Sequence, residues 1–102
     1  MNHVALFDFA ETQQVARAVG FNPLNGLARE CLEDSRNVAW DMPDGLPESL
    51  KFQAEYYIAV GLFIWQTYGD NGLPVPAAVN DWYELNTALT AEETFFAQPV
   101  GV

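Results

Sequence analysis

The side chains able to do chemistry in this chain are few: one histidine, His3, one cysteine, Cys31, and close carboxylates, among them the pairs Glu33/Asp34, Asp81/Glu84 and Glu92/Glu93. Covalent catalysis needs a nucleophile with a base within hydrogen-bond reach. His3 stands in a terminal stretch and has no spacing relation to Cys31 that would make such a pair. Cys31 instead continues an apolar stripe, Leu24, Leu27, Ala28, Cys31 and Leu32, at i, i+3, i+4, i+7 and i+8, which reads as the buried face of a helix. Structural zinc needs clustered Cys or His, and a di-iron bundle needs Glu-x-x-His pairs; the sequence has neither.

Carboxylate pairs serve as general acid and base in many enzymes, but here two of the three have plainer roles. Glu92 and Glu93 fall in the first turn of an expected helix, where the macrodipole favours anions. Glu33 and Asp34 lie opposite the apolar stripe, beside Arg29 and Arg36. Asp81 and Glu84 lack both a capping role and a basic neighbour, which makes them candidates for contact with a partner. Gly69-x-x-Gly72 encloses an acid that would repel phosphate, and Asp70-Asn71-Gly72 lacks the alternating ligands and closing Glu of a calcium loop. The expectation is a protein that is not an enzyme and uses no cofactor or metal.

The elements that would position these residues are helical. Residues 1–8 are read as coil, their apolar run Val4–Phe7 suiting an extended arm, a short strand or a helix extension alike, and Asp8 with Glu11 makes a capping-box pattern that opens a helix from about Phe9 to Val19. Gly20 then occupies the place of a left-handed cap. Asn22-Pro23 signals a second helix start, followed by the Leu24–Leu32 stripe. On its outer face Arg29 with Glu33, and Glu33 with Arg36, stand at pairing distance, while Gly26 offers room for another backbone.

Prolines 43 and 47 and an Asp-Gly step make residues 40–47 a loop. A central hydrophobic helix over about 47–68 follows, and its stretch Tyr56–Trp65 has no polar side chain beyond two tyrosine hydroxyls. At ten residues that stretch is half of the roughly 20 that cross a bilayer. After a turn at residues 69–74, a helix from near Pro76 would place Val75, Val79, Trp82, Tyr83 and Leu89 on one side. Thr90 with Glu93 repeats the capping-box pattern, so a short fifth helix through Ala97 is expected, with residues 98–102 as a frayed tail. The whole is read as one all-α domain over residues 1–102, a bundle of four or five helices.

Charge narrows the function. The chain has 14 acids against 4 bases, a net charge of −10, which disfavours direct binding to nucleic acid or anionic membranes. Residues 52–102 contain six acids and no Lys or Arg. A lone cysteine and the absence of a basic, apolar leader at residues 1–10 point to the cytoplasm.

In size, acidity, single-domain build and lack of a catalytic motif, the chain resembles the small phage-encoded anti-CRISPR proteins. That resemblance implies a cytoplasmic inhibitor, in the host cell if phage-encoded, that binds a basic nucleic-acid-handling partner such as a CRISPR effector complex. Asp70, Asp81 and Glu84 are the first candidates for its partner surface, followed by Glu30, Glu33 and Asp34. The alternative is a small helical structural or assembly protein that self-associates, as a homodimer for example, through the aromatic surface of the second half.

Overall fold

A computed structural model describes residues 8–38 and 47–91 of the chain. These form four helices, α1 (Phe9–Ala18), α2 (Gly26–Val38), α3 (Glu48–Ile64) and α4 (Ala77–Ala91), with a π segment (Trp65–Gly69) continuing α3. The all-α reading holds. Residues 1–7, 39–46 and 92–102, and with them most of the expected arm and loop, the fifth helix and the frayed tail, lie outside the described residues.

Helix α1 begins and ends where its sequence dictates. The Asp8 carboxylate accepts from the Ala10 and Glu11 backbone N–H groups, relieving two of the orphan donors of the first turn. At the other end Gly20 adopts φ 76°, which lets Phe21 N–H donate to the Ala16 carbonyl at 2.8 Å and Gly20 N–H to Arg17 at 3.3 Å. This is a Schellman motif, and it turns Phe21 inward against Tyr56 and Phe63.

Helix α2 starts later than its capping signal. Asn22 accepts from the Leu24 N–H through its side chain and from the Asn25 N–H through its carbonyl, so Pro23 and Leu24 form a turn ahead of the helix. Leu24 is therefore 82% exposed instead of lying on the core stripe, which is carried by Ala28, Cys31 and Ser35 with Leu32 half-buried. Among the described residues no neighbour lies within 4 Å of where a Gly26 Cβ would stand, so none of them makes the close backbone approach expected there.

Helix α3 is the centre. Tyr57, Ile58, Ala59, Val60 and Gly61 are buried in succession, which requires partners on all sides. Helices α1, α2 and α4 each approach α3, and α1 also approaches α4; among the described residues α2 approaches α3 alone. Edge-on aromatic contacts knit the α1 side, with Phe9 and Phe21 against Tyr56 and Phe21 against Phe63. On the α4 side Trp82 meets Tyr57 edge-on at 5.1 Å between ring centroids.

The helix does not stop at Ile64. Asp70 N–H donates to the Trp65 carbonyl at 2.7 Å, a bond over five residues that widens the last turn into a π segment. Asn71 Nδ2 donates to the Gln66 and Thr67 carbonyls at 3.1 and 3.0 Å, and Gly72, at φ 70°, closes the end with a second Schellman-type pair. Helix α4 then runs unbroken through Thr90 to Ala91, the last of the described residues.

Candidate functional site

The predicted acidic residues fall on three separate elements. Glu30, Glu33 and Asp34 stand exposed on α2, Asp81 and Glu84 stand exposed on α4, and Asp70 is exposed just past the π segment. Because α2 and α4 both approach α3 but not each other, these acids form two faces instead of one cluster. Among the described residues none of the six is in an ion pair. The ion pair present joins Arg36 on α2 to Glu55 on α3 at 3.6 Å, a cross-helix contact in place of the Arg36–Glu33 pairing suggested by spacing. Glu84 accepts from Asn80 Nδ2 at 3.2 Å, which orients its carboxylate along the α4 surface.

Cys31 is fully buried. Burial, reinforced by Asp34 and Glu30, pushes its thiol from an ordinary 9.0 to about 11, so it remains protonated at neutral pH, the opposite of an activated nucleophile. Burial likewise raises the Tyr57 phenol, with Glu11 adding to the shift. His3 lies outside the described residues, among which no group of three or more His, Cys, Asp or Glu could hold a metal ion. No described helix is long and apolar enough to cross a membrane.

One contact that sets the distance between α3 and α4 is not apparent from the sequence. Asn86 is buried, and its Nδ2 donates to the Tyr57 backbone carbonyl at 2.8 Å. Gly61 faces it: a Cβ there would lie 2.7 Å from Asn86 Cγ and 2.9 Å from Nδ2. The spacing of Val79, Trp82 and Asn86 at i, i+3 and i+7 was the available signal, since an amide on a core stripe must find a partner.

Beside that contact the two helices leave an open groove of about 350 Å³. Ile58, Leu62 and Trp65 line its α3 side next to Gly61, and Tyr83, Asn86 and Thr87 form the α4 side. Its lining is mostly apolar, and Trp65 is half exposed at its end. The Trp65 indole lies back over Gly69, Cδ1 being 3.1 Å from where a Cβ would stand, so Asp70 follows directly at that end. Glu84 stands three residues before Thr87 and so shares the neighbouring surface of α4. Neither acid is among the residues that line the groove; each lies close in sequence to one that does, in a place that composition alone did not locate.

Comparison with known proteins adds no relative: no protein family, curated protein or solved structure matches the chain.

Proposed function

We propose that this chain is a non-catalytic acidic inhibitor, cytoplasmic and of the anti-CRISPR kind, that binds and blocks a basic nucleic-acid-handling defence protein or complex. The observation that carries the proposal is the state of its acids: Glu30, Glu33, Asp34, Asp70, Asp81 and Glu84 are all exposed, and none is neutralised by a described base. Carboxylates three or four apart on a helix stand about 5–6 Å apart, giving a negative face that a groove built for phosphates attracts. Such complementarity accelerates association and makes it salt-sensitive.

The test is inhibition of DNA cleavage by a panel of purified CRISPR effector complexes, using the wild-type chain, Asp81→Lys/Glu84→Lys and Glu30→Lys/Glu33→Lys/Asp34→Lys. Inhibition of at least one effector, weakened in one charge-reversed variant that keeps its helical circular dichroism, is the expected result. Inhibition of none, or equal inhibition by both folded variants, overturns the proposal.

A second reading is favoured by a specific observation. Phe52 and Trp65 are 54% and 50% exposed, apolar surface that an assembly protein would bury against copies of itself. Salt separates the two readings, since an apolar self-association survives high salt and an electrostatic complex does not.

A further inference from the structure

We infer that the α3–α4 groove is the seat of a basic segment of the partner, one that inserts an apolar anchor side chain over Ile58, Leu62 and Trp65 and sets Lys or Arg against Glu84 and Asp70. This rests on the partner-binding reading above and names the place and chemistry of the contact.

Three observations lead there. The groove is apolar where Ile58 and Leu62 line it, and its end is marked by a half-exposed tryptophan, the residue type most enriched where binding energy concentrates. Two acids lie close in sequence to the lining and without counter-charge: Glu84 stands three residues before Thr87 on α4, Asp70 follows Gly69, which lies under the Trp65 indole, and residues 52–102 contain no Lys or Arg. The described bases nearest in sequence lie elsewhere, Lys51 about 10 Å along α3 from Ile58 and Arg36 engaged with Glu55.

Charge also decides between occupants. A second copy would bring another net −10 and an equally base-free half against the same acids. Like charges facing each other suppress such pairing, whereas a basic segment gains from it. The groove runs about 10 Å from Ile58 to Trp65, enough for one or two anchor side chains, so the remaining affinity must come from flanking charge.

A displayed library of random peptides of roughly 12 residues, long enough to span the groove in helical or extended form, is panned on the immobilised full chain. The expected enrichment is one aromatic or branched aliphatic residue with neighbouring Lys or Arg. Binding of the selected peptides should weaken roughly tenfold or more in Trp65→Ala and in Thr87→Arg, which fills the groove and repels a basic segment. It should fall severalfold in Glu84→Lys and be unchanged in Glu30→Lys/Glu33→Lys/Asp34→Lys. Circular dichroism and the urea midpoint of each variant exclude unfolding as the cause.

Three results would overturn the inference: no enriched peptide sensitive to the groove variants, enrichment of uncharged or acidic apolar peptides, or a dimer in sedimentation that Trp65→Ala dissolves. Effector inhibition that persists in Thr87→Arg and is lost in the α2 triple variant would refute this site while leaving the inhibitor reading intact.

Discussion

Asn86 Nδ2 donates to the carbonyl oxygen of Tyr57 at 2.8 Å, across 29 positions of sequence, and the backbone of Gly61 passes against the same amide. The bond is buried, so it carries more weight than an exposed one. It fixes the height of α4 on α3, and with it the width of the groove that opens beside Gly61.

Asn86→Ala should therefore lower stability by about 1–2 kcal/mol, the usual worth of such a bond with some lost packing. Asn86→Asp should cost about 3 kcal/mol or more at neutral pH, because a buried carboxylate can only accept and would face a carbonyl. Gly61→Ala should cost about 1–3 kcal/mol through overpacking, although alanine is the better helix former. The double variant Gly61→Ala/Asn86→Ala should lose less than the two singles together, since removing the amide makes room for the methyl. Urea denaturation of the four variants measures each value.

The glycines at helix ends should split by backbone angle. Gly20 sits at φ 76°, and Gly20→Ala should destabilise by about 1–2 kcal/mol with α1 losing its tight end. Gly26 has a helical backbone with open space where a Cβ would go, so Gly26→Ala should stabilise by about 0.5 kcal/mol. Thermal melts that reverse this order would contradict the assignment of the two ends.

Alkaline pH should weaken the fold. The Cys31 thiol is raised from 9.0 to about 11 and the Tyr57 phenol is raised above its ordinary 10.0, so the unfolded chain releases these protons first. The unfolded state then binds fewer protons than the native state over that window, and stability falls as pH rises from about 9 to 11. The same burial should make native Cys31 unreactive toward a thiol reagent near pH 8 and reactive once urea unfolds the chain. Cys31→Ala should flatten part of the pH slope. A midpoint independent of pH across the window would refute the burial of both groups.

The Arg36–Glu55 pair should contribute little. Arg36 is well exposed, so Arg36→Ala is expected to cost under about 1 kcal/mol and to lose even that in high salt. A larger, salt-independent loss would mean that the Arg36 stem, not its charge, holds α2 on α3.

Much of the fold was legible because it is written locally. Asp8 and Gly20 bracket α1 by side-chain chemistry and backbone freedom, and the apolar run Tyr56–Trp65 could be satisfied only by neighbours on every side. The start of α2 was not legible, since Asn22-Pro23 offers the same donors and acceptors to a turn as to a helix cap, and the turn won.

The acids were legible as residues but not as surfaces. Sequence spacing links Glu30 with Glu33 and Asp81 with Glu84, yet whether those two faces adjoin depends on how α2 and α4 are arranged around α3. The groove depends on a tertiary fit between Gly61 and Asn86, which no local pattern encodes. Trp65 read as one more member of an apolar run, and only its place in the wider turn shows that it ends half in water.

That wider turn has a consequence for how the chain tolerates change in length. A π turn holds one residue more than the α turn it replaces, so Trp65–Gly69 works as a register shift: Tyr57–Ile64 keep their phase against the core while everything after Gly69 is re-aimed. Insertion or deletion of a single residue at this position would rotate the approach to α4 and reshape the Trp65 end of the groove without disturbing the core face of α3.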